Sequence, residues 1–346
     1  MRRGMSLTIK VGILYNYPRR PSRGESINYL AEVEVLDQVR AVQETLEKLG
    51  IRYCEIPLKD DIEEAIKVLR GYRPDVVINL CEGFMGDSSL EMHIPAILEV
   101  LRIPYTGSGP LALGLCQNKG LAKAILRAHG VPTPNYQVID GWAERVKCEL
   151  RFPLIVKPLR EDASIGITRD SFVRSLGELE RQVKYINRVY EQPALVEEYV
   201  DGREFNVSIL GNEEPTVLPI SEIIFDFDEE PKIVDYAAKW LKESEEYAKT
   251  RPICPAEVSP ELKGAIEETA LKAYRALQCR DYARVDIRLD KNTKKPYVLE
   301  VNPNPDISPE AGFARSLRAA GISFEEFIMR IICFALKRAG RSPPHI

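Results

Sequence analysis

The chain has 346 residues, enough for two or three domains, with 45% hydrophobic and 29% charged residues, a normal balance for a folded protein in water. Its formal net charge of −4 argues against nucleic acid as a partner, since a surface that tracks phosphates needs an excess of Lys and Arg. Seven cysteines without a Cys-x-x-Cys pair read as free thiols in a reducing compartment, three histidines argue against a zinc site, and no signal-like or membrane-length apolar run occurs, so a cytoplasmic protein is expected.

In chain order, Ile9 to Tyr15 has strand character, Glu32 to Leu49 is a helix, and Tyr53 to Ile56 is a second strand. Val35, Val39, Val42, Leu46 and Leu49 form one helical stripe, Gly50 supplies the stop, and Asp75 to Leu80 gives a third strand. This alternation predicts a parallel sheet. No Gly-x-Gly-x-x-Gly follows the first strand, which argues against a dinucleotide site there. A second region opens near Asn118 with a helix through His129, stopped by Gly130, Pro132 and Pro134. Phe152 to Pro158 and Ala194 to Val200 read as strands. The last region holds the alternating Phe205, Val207 and Ile209, a helix from about Ser259 to Leu277, two strands ending in acidic residues, and a closing helix from Phe324 to Ala339.

The two acidic strands point most directly to chemistry. In Ala283-Arg284-Val285-Asp286-Ile287-Arg288, alternation puts Arg284 and Asp286 on one face; in Tyr297-Val298-Leu299-Glu300-Val301-Asn302, Glu300 and Asn302 repeat the pattern. Oxygen ligands of this kind suit a hard cation such as Mg²⁺, with a nucleotide phosphate completing the shell. Lys119 and Lys157, from different elements, would approach a polyphosphate from two sides, or are simply solvated.

Several segments then join into one pattern. Tyr105-Thr106-Gly107-Ser108-Gly109-Pro110 leads to Asn118-Lys119, and Phe152-Pro153-Leu154-Ile155-Val156-Lys157-Pro158 leads to Ser164-Ile165-Gly166. Val196-Glu197-Glu198-Tyr199-Val200, Gly202-Arg203-Glu204-Phe205 and the acidic strands follow. From roughly Asp75 to Ala335 the chain resembles an ATP-grasp enzyme, most closely the D-alanine:D-alanine ligase group. The resemblance implies a mixed α/β, multidomain ATP-grasp fold with an N-terminal Rossmann-like parallel-sheet domain (1–116), a central subdomain (117–200) and a C-terminal subdomain (201–340) that carries the metal-binding strands.

It also implies an ATP-dependent, ADP-forming carboxylate–amine ligase that works through an acylphosphate on small-molecule acids and amines, amino acids first among them. Lys119, Lys157 and the lid residue Lys239 would meet the ATP phosphates. Glu197 would accept from the adenine amino group, the backbone around Tyr199 and Val200 would mimic base pairing, and Glu204 would hold the ribose hydroxyls. Asp286, Glu300 and Asn302 would hold two Mg²⁺ ions, with Mn²⁺ as a substitute. Arg284 would support the transferred phosphoryl group, or else pair with Asp286 along the strand face, and Ser164 belongs to the phosphate-covering loop. Family members are commonly dimers through the N-terminal region, so a homodimer is open by analogy.

The substrate side departs from the group. Glu161-Asp162-Ala163-Ser164 replaces Glu-Gly-Ser-Ser, so Asp162 should point outward or toward a cation. Trp240 replaces the lid tyrosine, Asp306 a glycine of the oxyanion site, and Ala311-Gly312 a Ser-Leu pair, which implies a different substrate pair. Glu25 is a candidate for binding the substrate amine, and Glu82, after the third strand, a candidate substrate-facing carboxylate. Arg19, Arg20 and Arg23 either bind a carboxylate-rich substrate or are exposed. Two other readings keep the nucleotide site: a phosphotransferase that makes a stable phosphorylated product, and a non-catalytic nucleotide-binding module.

Overall fold

The computed structural model describes residues 9–140 and 146–342. Three sheets organise them. The first is parallel, with strands β1 (Lys10–Asn16), β2 (Arg52–Leu58) and β3 (Val76–Asn79) in the order β2-β1-β3. The second is antiparallel, with β4 (Tyr136–Ile139), β5 (Leu154–Pro158), β6 (Phe172–Val173) and β7 (Ala194–Glu198) in the order β4-β7-β5-β6. The third runs β11-β10-β8-β12-β13, from β8 (Gly202–Leu210), β10 (Ser221–Phe225), β11 (Thr250–Ile253), β12 (Tyr282–Asp290) and β13 (Pro296–Asn302), with the short β9 (Thr216–Val217) on β8. Pro57, Pro252 and Pro296 lie in β2, β11 and β13, all end strands, where a missing N–H breaks no ladder.

The helical stripe reads as expected: Val35, Val39, Val42 and Leu46 are buried, and Gly50 (φ 66°) ends the helix in the left-handed region. The helix differs from expectation at its start. It begins at Tyr29 and is divided at Glu34 into Tyr29–Val33 and Val35–Lys48, where the Asp37 N–H bonds the Glu34 carbonyl at 3.0 Å in a tighter turn. Helix Lys119–Ala128 is capped by Asn118, whose Oδ1 accepts from Leu121 N at 3.1 Å. This helix buries Ala122 and Leu126 in the core of the third sheet, under Val207 and Val285. The closing helix Phe324–Arg338 packs Phe327, Ile328 and Ile331 into the core of the first sheet, with Val11, Ile13 and Val39. Tyr282, fully buried at the start of β12, meets Phe313 and Phe327 edge-on at 5.7 and 5.6 Å between ring centroids, joining the third sheet to the first. Among the described residues no helix is long and apolar enough to cross a membrane.

Candidate active site

The β12–β13 register determines the centre of the site. Asp286 lies opposite Glu300 and Arg284 opposite Asn302, so four polar side chains share one face while Val285 and Val301 are buried on the other. Arg284 grips Asp286 with both arms of its fork, Nε to Oδ1 at 2.8 Å and Nη2 to Oδ2 at 2.9 Å. Asn206 on β8 also donates to Asp286 Oδ1 at 2.7 Å. In this state, then, Arg284 makes the strand-face pair that the sequence left open.

Facing this sheet across a cleft of about 1190 Å³ is the second sheet. Lys157 ends β5 in that cleft and its Nζ lies 2.7 Å from Glu197 Oε2 on β7. Glu197 is 3% exposed, and Lys123 forms an ion pair with its other oxygen. Burial alone would raise this carboxyl, but Lys123 and Lys157 overcome it and hold it down to about 2. Its neighbour Glu198 turns the other way, accepting from Asn135 Nδ2 at 2.9 Å. Lys119 reaches the same centre from its helix: Nζ is 2.7 Å from Asp162 Oδ1 and 3.9 Å from Glu300 Oε2. Asp162 therefore points toward a cation. Glu204 lines the cleft with Tyr199 and Val200, its carboxylate bound by Arg288 Nε at 3.0 Å.

A loop and a short helical segment wall one side. Ala163 and Ser164 lie in the left-handed region (φ 56° and 60°), and a Cβ on Gly166 would stand 2.5 Å from Pro158, so this turn needs a glycine there. Ser164 Oγ donates to the Val234 carbonyl at 2.8 Å, and Trp240 Nε1 to the Ala163 carbonyl at 2.9 Å. Asp235 caps the short lid helix Tyr236–Trp240, and Tyr236 Oη donates to the Ile27 carbonyl at 2.7 Å. Lys239 lines the cleft beside Trp240, its amino group 5.0 Å from the indole centroid.

Behind Arg284 and Lys239 a smaller cavity of about 110 Å³ continues, lined by Glu32, Glu82, Glu91, Asn302 and Asp306. Gln38 Nε2 donates to Glu82 at 2.8 Å and Asn304 Nδ2 to Glu91 at 3.0 Å. Burial pushes Glu82 well above the ordinary carboxylate range, with Asp306 adding to it, and lifts Glu91 to about 8. Glu34 is pushed up to about 7 by burial and by Asp306, to which it is hydrogen-bonded, against the pull of Lys239. A carboxyl raised above its ordinary 4.5 binds its proton more tightly in the native state, so its stabilising contribution is complete below about pH 4.5 and is lost as pH rises through 7. The melting temperature of the protein alone should fall between about pH 5 and pH 8, and Glu34→Gln should flatten that slope. An unchanged slope in the variant would show that Glu34 does not titrate this way.

Among the predicted residues Glu25 lies elsewhere. It is exposed and accepts from Tyr185 Oη at 2.5 Å, outside the residues lining either cavity. The segment after β1 carries it against helix Leu176–Tyr190. Glu32 and Glu34, on the helical stretch that begins at Tyr29, face the cavities instead. Arg19 and Arg23 pair with Asp60 and Asp87 at partly exposed positions. Sequence reasoning also passes over Lys123 and Arg288. Both had a signal: Lys123 is one helical turn beyond Lys119, and Arg288 two residues beyond Asp286 on the same strand face.

The donors Asp286, Glu300 and Asn302 are all oxygen, and Glu300 is held ionised: burial would raise it, but Lys119, Lys157, Arg284 and Lys239 together bring it below its ordinary value. Two carboxylates and an amide fit a hard divalent cation that takes its other ligands from phosphate and water. Among the described residues no three His, Cys, Asp or Glu side chains gather as an all-protein metal cage.

Comparisons with known proteins bear on the family and the fold. The family described as D-ala D-ala ligase C-terminus matches residues 125–333. An uncharacterized protein of Sinorhizobium fredii, y4sG, is 40% identical over 76% of this chain and 75% of its own length. The D-alanine–D-alanine ligase of Carboxydothermus hydrogenoformans is 34% identical over 86% of this chain and 92% of its own. A crystal structure of the D-alanine–D-alanine ligase of Bacillus anthracis superposes with a TM-score of 0.76 at 25% identity, covering 96% of this chain and 99% of that one. Fold and cleft thus define an ATP-grasp enzyme of the ADP-forming ligase class. Within that class the chain belongs to the D-alanine–D-alanine ligase family.

Proposed function

We propose that this enzyme uses ATP to join an amino acid carboxylate to an amine, releasing ADP and phosphate, with a substrate subsite that differs from that of a D-alanine–D-alanine ligase. The observation that carries the proposal is the shared face of Arg284, Asp286, Glu300 and Asn302, with Lys119 Nζ 3.9 Å from Glu300 and Lys157 lining the cleft from the second sheet.

In this reading the adenine amino group donates to Glu197, the base edge meets the backbone at Tyr199 and Val200, and Glu204 accepts from the ribose. Lys157, now on Glu197, turns to the phosphates together with Lys119 and Lys239. Asp286, Glu300 and Asn302 would hold Mg²⁺, two ions by family analogy and with Mn²⁺ accepted; bound there it neutralises phosphate charge and polarises the γ-phosphate. An oxygen of the substrate carboxylate attacks the γ-phosphorus, the bond to the β-bridging oxygen breaks, and ADP leaves. Arg284 follows the transferred group with a planar, permanently charged fork. An amine then attacks the acyl carbon, the C–O bond to phosphate breaks, and an amide forms. The lid contacts of Ser164 and Trp240 support exclusion of water, which would otherwise hydrolyse the acylphosphate.

The altered subsite is supported by its carboxyl groups. Glu32, Glu34, Glu82, Glu91 and Asp306 face it together with Arg23, Arg160, Arg284 and Lys239, and Ala311-Gly312 offers no hydroxyl to a second carboxylate. Carboxyls whose protons burial holds ionise against a bound ammonium, so the subsite favours substrates rich in ammonium groups over one with an extra carboxylate. Incubation with ATP, Mg²⁺, a panel of amino acids including basic ones, and hydroxylamine should yield ADP, phosphate and a hydroxamate, most with the basic acids. ADP with a stable phosphorylated product and no phosphate would mean a phosphotransferase; no ADP with any acid would end the proposal.

A further inference from the structure

Lys123 is 1% exposed and does not line the cleft, yet its ammonium has three polar partners, two by hydrogen bonds and one by an ion pair. It forms an ion pair with Glu197 on β7, donates to Thr133 Oγ1 at 2.8 Å, and donates to the Leu299 carbonyl at 2.9 Å. Thr133 Oγ1 in turn donates to the Val298 carbonyl at 2.8 Å. Leu299 directly precedes Glu300 on β13. One buried ammonium therefore ties the carboxylate of the second sheet to the strand of the third sheet that carries Glu300 and Asn302.

We propose that Lys123 is a positioning residue that keeps Glu197 fixed and ionised while Lys157 leaves it for the phosphates, so that reading of the base and alignment of β13 are coupled. The inference rests on the assignment of Glu197 to the adenine amino group made above. Its physical basis is charge balance. Glu197 now holds two lysines, and if it held only Lys157, releasing that lysine would strand a bare carboxylate at a 3% exposed position. With Lys123 in place a charge-balanced ion pair remains behind. Lys157 is then free to exchange partners, and Glu197 keeps one geometry toward the base.

The test uses the full-length enzyme with saturating Mg²⁺, a turned-over amino acid and hydroxylamine, comparing ATP with ITP, whose base has a keto oxygen in place of the amino group. The wild type should prefer ATP by about tenfold or more in kcat/KM, and Glu197→Gln should lose that preference because an amide can also donate to the keto oxygen. Lys123→Met should raise the KM for ATP by about tenfold, change kcat much less, and bring the ATP-to-ITP ratio toward one. Lys123→Arg should restore most of the ratio. If Lys123→Met does not fold, Thr133→Val removes one of the three partners without touching the cleft, and the ratio should drop about threefold. No preference in the wild type would overturn the assignment of Glu197. A preference lost in Glu197→Gln but kept in Lys123→Met, or kept in Thr133→Val, would overturn the role of Lys123 and leave that assignment standing.

Discussion

Glu300→Gln should lower kcat by about 10²–10³-fold at ordinary Mg²⁺, the scale on which removal of a preorganised charge acts. Glu300 lies opposite Asp286 and is kept ionised against its burial by Lys119, Lys157, Arg284 and Lys239. The amide keeps the volume and one oxygen donor and loses the charge. Two opposite consequences follow from that one change. A divalent cation is held less tightly, so activity should need more Mg²⁺ and recover only in part. Four cations are also less neutralised, so ATP without metal should bind several-fold more tightly than it does to the wild type. Titration calorimetry in EDTA and kcat measured against Mg²⁺ concentration check both halves. Turnover within about threefold of the wild type would remove Glu300 from the metal site.

Arg284→Met is the second large effect, with a loss of about 10²–10³-fold in kcat and little change in the KM for ATP. Lys119, Lys157 and Lys239 remain to bind the nucleotide, while Asp286 keeps only the Asn206 amide of its two neighbours. Arg284→Lys should rescue little, because a point charge cannot reproduce a two-armed grip that meets Asp286 at 2.8 and 2.9 Å. A raised KM with unchanged kcat would reduce Arg284 to a strand-face ion pair. Single-turnover measurement of γ-phosphate transfer separates the two outcomes.

The strands β12 and β13 were legible because alternation is a local rule: two residues apart means one face, and antiparallel pairing brings the two acidic faces side by side. Helix Lys119–Ala128 was legible through the glycine and prolines after it. Glu25 was not. It sits in a segment with no period, and only the packing of that segment against helix Leu176–Tyr190 decides which way its side chain faces. Glu34 illustrates the converse: its helix reads plainly, but the cavity it faces is assembled with Asp306, far along the chain. The pairing of Glu197 with Lys123 and Lys157 is likewise a product of three elements, none of which carries a sign of the others.

Phe327, Ile328 and Ile331, from the closing helix, complete the core around Val11, Ile13 and Val39 of the first sheet. During synthesis on the ribosome strands β1 and β3 thus wait, with their apolar face incompletely covered, until residues 324–338 have emerged. A nascent chain stalled before Phe324 should be a chaperone client, whereas release of the Phe324–Arg338 helix supplies the missing cover and lets the first sheet reach its native form.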